Sequence, residues 1–121
     1  MPLEFDNNLP IYIQLVEKIK TYIISGKAKV GERLPSVREF ALMMKVNPNT
    51  MQKALVELEE TGLIYTERTN GKFVTQDTTL VAKFKREYAL KLAEKYVEDM
   101  KNIGVDGVEM LEYIKETGGI Q

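Results

Sequence analysis

The chain has 121 residues, of which 44% are hydrophobic and 29% are charged, and it contains neither cysteine nor histidine. Such values are typical of one small domain, or of a small domain with an appendage. The two missing residue types exclude thiol nucleophiles, disulfides and ordinary zinc sites, and 17 basic against 18 acidic side chains leave a net charge of only −1.

The sequence has no apolar run of about 18 residues, which is the length that a membrane span needs. Residues 1–6 lack the basic and then apolar order of a signal peptide. We therefore expect a soluble, cytoplasmic protein with no membrane partner.

Two helices are predicted in the first third of the chain. Apolar residues recur at helical spacing from Ile11 until Ser25-Gly26, which predicts helix one. A basic connector follows and leads to Ser36 and Glu39, whose spacing is that of a capping box. The apolar stripe behind this box predicts a short helix two that ends near Met44.

A third helix and a hairpin complete this part of the chain. Asn47-Pro48 can start helix three, because Asn caps well and Pro is tolerated in the first turn, and the helix is expected to end at Thr61-Gly62. Residues 63–66 and 72–75 are predicted as two short strands around Asn70-Gly71, a strong signal for a hairpin turn.

The helical period returns in the last third of the chain. It predicts a long helix from Leu80 to near Gly104, and Asp106 with Glu109 form a second capping box before a short final helix. The polar stretch 76–79 is the predicted boundary between a first domain, residues 1–75, and a two-helix region, residues 76–121. The predicted fold class is α+β, mainly helical: a winged helix-turn-helix followed by a two-helix dimerisation tail.

The faces of helix three point to nucleic-acid binding. Only Lys45-Val46 separates helices two and three, which is the tight connection of a helix-turn-helix. The predicted buried stripe of helix three consists of Met51, Ala54, Leu55 and Leu58. Asn49, Gln52 and Lys53 then point outward, and such amide and cationic groups are what a recognition helix presents to the major groove.

The distribution of charge supports the same reading. Residues 26–56 contain six basic and two acidic side chains, so this segment carries 6 − 2 = +4 and the remainder carries −5. Phosphate binding depends on local charge more than on net charge. The hairpin tip, with Arg68 and Lys72, has the shape and charge of a wing that can follow the phosphates or enter the minor groove.

An ordered series of motifs covers residues 10–75. The motifs are Pro10-Ile11-Tyr12-Ile13-Gln14, Gly31-Glu32-Arg33-Leu34-Pro35-Ser36-Val37-Arg38-Glu39, Val46-Asn47-Pro48-Asn49-Thr50, Lys53-Ala54, Leu58-Glu59, Gly62-Leu63-Ile64 and Gly71-Lys72-Phe73-Val74. In this order they resemble the GntR family of winged helix-turn-helix transcriptional regulators, and more narrowly its short YtrA-like branch.

The resemblance implies a DNA-binding homodimer, usually a repressor, in which Arg38 of the Leu-Pro-Ser-x-Arg motif contacts a palindromic operator. It also implies operator contacts at the start of helix three and at the wing. The predicted DNA-binding set is Arg33, Ser36, Arg38, Asn47, Pro48, Asn49, Thr50, Gln52, Lys53, Arg68, Asn70, Gly71 and Lys72. No cofactor and no metal are predicted, and the existence of a small-molecule effector stays open.

The tail is predicted to form a dimer interface. After Thr75 there remain 121 − 75 = 46 residues, enough for two helices. Their apolar stripe has no intrachain partner large enough to cover it, although part of it could pack on helix one, so we expect a second copy to cover it. The predicted interface residues are Val81, Phe84, Tyr88, Leu92, Tyr96, Met100, Leu111 and Ile114.

Two other functions are weighed against DNA binding. A winged helix can also dock another protein without touching DNA, and binding experiments separate these two cases. An enzyme is disfavoured, because the carboxylates Glu57, Glu59 and Glu60 are spread over a helix surface without a paired acid and base.

Overall fold

The structure is a computed structural model that describes Phe5 and residues 7–119. The start of the chain, on which the prediction of no signal peptide rests, lies outside the described residues apart from Phe5. The elements are α1 Ile11–Ile24, α2 Val37–Met44, α3 Pro48–Thr61, β1 Ile64–Glu67, β2 Gly71–Val74, α4 Thr78–Asn102 and α5 Gly107–Glu116. The predicted α+β, mainly helical fold of three helices, a hairpin and two further helices is therefore confirmed, whereas the dimerisation role of the last two helices stays a prediction.

The chain divides into two compact units, Met1–Lys85 and Arg86–Gln121, and the division falls inside α4. The functional division at residues 75 and 76 stays a prediction. Within the described part of the chain, no helix is both long enough and apolar enough to cross a membrane.

The core of the first unit lies between α1, α2, α3 and the hairpin. Every third or fourth residue of α1 and α3 is apolar, so each helix turns one stripe inward. The side chains with almost no exposure are Leu15, Ile19, Ile23, Met51, Leu55, Leu58, Leu63, Ile64 and Val74. This packing fixes α3 against α1 and leaves the opposite face of α3 outside the core.

The cap of α2 forms as its sequence predicts. The Ser36 hydroxyl accepts a hydrogen bond from the Glu39 backbone N–H at 3.2 Å and donates one to the Glu39 carboxylate at 2.9 Å. At the other end Lys45 adopts a left-handed conformation, with φ 56°, which stops the helix and turns the chain towards α3. The tight connection that the sequence predicts is thus made at Lys45.

The hairpin differs by one residue from its prediction. Glu67 pairs with Gly71, so the turn spans Arg68, Thr69 and Asn70 instead of the predicted Asn70-Gly71 turn. Gly71 has φ 99°, a conformation that favours glycine, and it opens β2 instead of closing the turn. A three-residue loop followed by a positive-φ glycine is a common solution for a short hairpin.

The ends of the last two helices also differ from prediction. The Asp77 carboxylate accepts a hydrogen bond from the Leu80 backbone N–H at 3.1 Å, so α4 begins at Thr78, two residues earlier than expected. The predicted capping box of Asp106 and Glu109 is wrong, because Asp106 makes no side-chain cap hydrogen bond at the start of α5. A hydrogen bond between α4 and α5 is present, in which the Tyr96 hydroxyl donates to the Met110 carbonyl at 2.8 Å.

Candidate nucleic-acid interface

Helix α3 presents a polar face to solvent. Its buried residues are Met51, Ala54, Leu55 and Leu58, which is the stripe that the sequence predicts. Asn49, Gln52 and Lys53 are exposed on the other side, and Thr50 is half-buried. Amide and ammonium groups in the first turns of an exposed helix can donate hydrogen bonds to base edges and phosphates.

The start of α3 is held by its own cap. The Asn47 side-chain oxygen accepts a hydrogen bond from the Asn49 backbone N–H at 2.8 Å, and Pro48 occupies the first turn. Both residues are exposed. The Asn47 side-chain oxygen already accepts the cap hydrogen bond. The NH₂ group of the same amide is therefore the donor that this exposed side chain can offer to a ligand.

Lys53 rests on an aromatic ring of α1. Its ammonium lies 3.9 Å from the centroid of the Tyr12 ring, while the residue itself remains exposed. A cation over a ring keeps its full charge, so Lys53 stays available to an anion. The sequence did not mark Tyr12 as part of the site, because only the packing of α1 on α3 brings the two side chains together.

The start of α2 supplies a second group. Arg38 is exposed, and no hydrogen bond or ion pair with the described residues engages its guanidinium. Ser36 is exposed too, but both roles of its hydroxyl are used by the cap of α2. Arg38 is therefore a free guanidinium on a capped and well-fixed helix.

The segment before α2 runs along the hairpin, which the sequence did not predict. Arg33 forms an isolated antiparallel bridge with Phe73, and the Leu34 backbone N–H donates to the Lys72 carbonyl at 2.8 Å. A Cβ atom at Gly71 would lie 3.6 Å from the Arg33 guanidine nitrogens. The exposed Arg33 side chain is thereby brought beside the base of the turn.

The two cations of the hairpin have different surroundings. Arg68 is exposed at the turn, next to Asn70, whose amide donates to the Glu67 carboxylate at 2.9 Å. The Lys72 ammonium lies 2.7 Å from a Glu59 carboxylate oxygen and 2.9 Å from the Thr66 hydroxyl. The hydrogen bond from Lys72, and to a smaller extent that from Thr66, holds the pKa of the Glu59 carboxyl below its ordinary value.

The predicted basic segment lies on the surface of the first unit. All six of its cations are exposed: Lys27, Lys29, Arg33, Arg38, Lys45 and Lys53. Among the described residues, no group of acidic side chains has the arrangement of a metal site. The chemistry that these side chains offer is that of hydrogen bonding and of attraction to anions.

The predicted dimer residues fall into both units. Val81 and Phe84 pack against the core of the first unit, and the Lys20 ammonium lies 4.8 Å from the Phe84 ring centroid. In the second unit, Leu92 and Leu111 are exposed. The half-buried members are Tyr88, Tyr96, Met100 and Ile114.

The chain is similar to known transcriptional regulators. The chain is 37% identical to the HTH-type transcriptional repressor YtrA of Bacillus subtilis over 112 residues, which is 91% of this chain and 85% of that protein. It is similar to the structure of a GntR family transcriptional regulator from Listeria monocytogenes, with a TM-score of 0.87, 38% identity, and coverage of 93% of this chain and 98% of that one.

A third similarity is to AraR(DBD) in a crystal structure with the operator ORX1. The TM-score is 0.56 and the identity 29%, over 62% of this chain and 95% of that chain. The family model for bacterial regulatory proteins of the gntR family matches residues 11–74. The chain therefore belongs to the GntR family, as its sequence motifs indicated.

Proposed function

We propose that this chain is a sequence-specific DNA-binding transcriptional repressor that binds a palindromic operator as a homodimer in the cytoplasm. The observation that carries the proposal is the exposed face of α3, where Asn49, Gln52 and Lys53 stand opposite a fully buried stripe. The similar protein YtrA is named a repressor, and AraR(DBD) was crystallised with an operator.

The proposed contacts divide into two kinds. Asn49, Gln52 and Lys53 read base edges, because their side chains carry the donors and acceptors that match adenine and guanine in the major groove. Arg38 and the turn residue Arg68 hold phosphates, because both guanidiniums are exposed and without an intrachain partner in the described part of the chain. A two-fold dimer of such units matches a palindrome.

The second unit supports the homodimer. None of the 25 residues of α4 is buried, and among residues 86–119, the described part of the second unit, only Val105 and Met110 are. The large apolar side chains that it exposes are Leu90, Leu92, Val97, Ile103, Val108, Leu111 and Tyr113. A set of this size on a segment too short for its own core favours an association surface.

The experiment begins with a random library of DNA duplexes, from which the wild-type chain selects its site. Fluorescence anisotropy then gives the affinity of Arg38→Ala and Lys53→Ala for the selected duplex. Each substitution removes one contact from each copy of the dimer and is expected to weaken binding by at least about fivefold to 100-fold, the usual range for one phosphate or base contact. Lys115→Ala, which removes an exposed lysine from α5, is the matched control and is expected to bind like the wild type.

Three outcomes decide the matter. The proposal is supported if the wild type selects a palindrome and if both Arg38→Ala and Lys53→Ala bind it more weakly. Wild-type affinity in both variants overturns the assignment of Arg38 and Lys53. A folded dimer that selects no duplex even at low salt contradicts DNA binding itself and supports the docking of another protein instead.

A further inference from the structure

Lys72 is not a free surface lysine. Its side chain is only 15% exposed, and its ammonium donates hydrogen bonds to a Glu59 carboxylate oxygen at 2.7 Å and to the Thr66 hydroxyl at 2.9 Å. The Thr66 hydroxyl also donates to the same Glu59 oxygen. The three side chains therefore form a closed triangle, which we call the wing clasp.

The wing clasp joins three elements. Thr66 and Lys72 are directly opposite each other in the register of β1 and β2, so their side chains share one face of the hairpin. Glu59 comes from the last turns of α3. The hairpin is thus bonded to the same helix whose first turns carry Asn49, Gln52 and Lys53.

The hairpin is also held by the segment before α2, since Arg33 bridges Phe73 and the Leu34 backbone N–H donates to the Lys72 carbonyl at 2.8 Å. At its root Ile64 and Val74 are buried in the core, and Tyr65 stacks on Phe73 at 5.5 Å between ring centroids. The stacked pair links the two strands to each other. Above the root, the wing clasp is a side-chain connection that joins the hairpin directly to α3.

We propose that Lys72 is a positioning residue for DNA binding, which acts by holding the wing against α3 through Glu59 and Thr66 and not by binding a phosphate. This inference rests on the proposed function. Its physical reason is that the Glu59 carboxylate neutralises the ammonium, which uses two of its three N–H donors inside the wing clasp on a side chain that is only 15% exposed. Arg68, exposed at the turn, is left as the cation of the wing that meets a phosphate.

The test uses the full-length chain and the duplex that the wild type selects. Lys72→Met removes the ammonium but keeps most of the side chain, and it is expected to weaken binding on the order of tenfold through a loose wing. The slope of log affinity against log salt concentration should stay within about half a unit of the wild-type slope. A phosphate contact in each copy of a dimer would instead lower the slope by about 1.8, since each contact contributes about 0.9.

A double-mutant cycle gives a second readout that does not depend on salt. Glu59→Gln breaks the wing clasp from the other side, and Glu60→Gln, an exposed neighbour on the same helix, shows the effect of removing one negative charge alone. Relative to Glu60→Gln, we expect Glu59→Gln to weaken binding. When Glu59→Gln is already present, adding Lys72→Met should weaken DNA binding by less than about twofold, because the clasp is already lost.

The opposite results overturn the inference. If Lys72 binds a phosphate, Glu59→Gln frees its ammonium and tightens DNA binding relative to Glu60→Gln. In that case Lys72→Met weakens DNA binding at least as much in the Glu59→Gln background as in the wild type. Thermal unfolding shows which variants are folded, and Lys72→Gln replaces Lys72→Met if the latter is not. A wild-type chain that selects no duplex counts against the proposed function. If the wild type does bind a selected duplex but Lys72→Met has a lowered salt slope, only the positioning role of Lys72 is contradicted.

Discussion

Lys53 and Lys72 both belong to the predicted DNA-binding set, yet their ammonium groups have different surroundings. Lys53 is exposed and lies over the Tyr12 ring, whereas Lys72 is bonded to Glu59 and Thr66. An aromatic ring attracts a cation without neutralising it, but a carboxylate cancels its charge. Two lysines of one predicted set are therefore expected to have different roles, because each contacts a different side chain from another part of the chain.

The pH dependence of stability provides a prediction at the residue scale. The pKa of Glu59 is lowered in the folded protein, first by the hydrogen bond from Lys72. Its contribution to stability is therefore present above the ordinary value of about 4.5 and is lost as the pH falls through the lower folded pKa. Urea unfolding should show Glu59→Gln less stable than the wild type by on the order of 0.5 kcal/mol at about pH 7, with the difference shrinking towards about pH 3.

Glu60→Gln is the control for this measurement. Glu60 is exposed on the same helix and has no partner among the described residues, so its substitution should change the stability little at either pH. A difference between Glu59→Gln and the wild type that stays constant over the same pH range would contradict the role of the ionised carboxylate.

At the scale of elements, the end of α3 decides where the hairpin starts. Gly62 has φ 87°, and the Thr61 hydroxyl donates to the Leu58 carbonyl at 2.6 Å while accepting from the Leu63 backbone N–H at 3.2 Å. These bonds stop the helix and turn the chain directly into β1. The sequence predicts this stop from glycine alone, because few other residues adopt the left-handed conformation without cost.

Gly62→Ala tests this helix end. A side chain at this φ costs about 1–2 kcal/mol, and the new Cβ would lie only 3.2 Å from the Leu80 Cδ2 atom. We expect thermal unfolding to show a clear loss of stability. Gly107→Ala is the control, because Gly107 is in the first turn of α5, has no heavy atom within 4 Å of its would-be Cβ, and does not have a positive φ. Equal stabilities of the two variants would show that the turn tolerates Ala.

At the scale of the whole molecule, the exposed apolar side chains of the second unit are the feature that calls for a partner. The second unit exposes Leu92 and Leu111 by 56% and 53% of their surface, and it is too short to enclose them. In a homodimer such side chains would be removed from water, which stabilises the association by roughly 25 cal/mol for each Å² of apolar surface.

Leu92→Lys tests the proposed interface. Placing an ammonium in each half of an apolar contact is expected to weaken the dimer by about 100-fold or more, because the charge loses its hydration. Sedimentation equilibrium should show a monomer at a concentration where the wild type is dimeric. Leu42→Lys is the control, since Leu42 is 75% exposed on α2 of the first unit. An unchanged dimerisation constant for Leu92→Lys would exclude Leu92 from the interface.

The tertiary structure alters the set of residues from which a dimer interface can be built. Val81 and Phe84 belong to the same helical stripe as Leu92, and periodicity alone treats all three alike. In the folded chain the first two pack on the core of the first unit, where Lys20 lies against the Phe84 ring. The interface we propose therefore begins after Phe84.

The sequence by itself determined the helices, the buried stripe of α3 and the exposed face opposite to it. These features depend on residues within one or two turns of each other, and local spacing is enough to predict them. The same holds for the caps at Ser36 and Asn47, since each hydrogen bond joins residues two or three positions apart.

Only the tertiary structure decided which side chains engage one another across elements. Lys72 and Glu59 are 13 positions apart, and Tyr12 and Lys53 lie on different helices, so no local pattern could pair them. The bridge of Arg33 to Phe73 is non-local in the same way. Packing of α1, α3 and the hairpin around one core brings these groups within bonding distance, and it thereby separates the cations that remain free for DNA from those that hold the fold together.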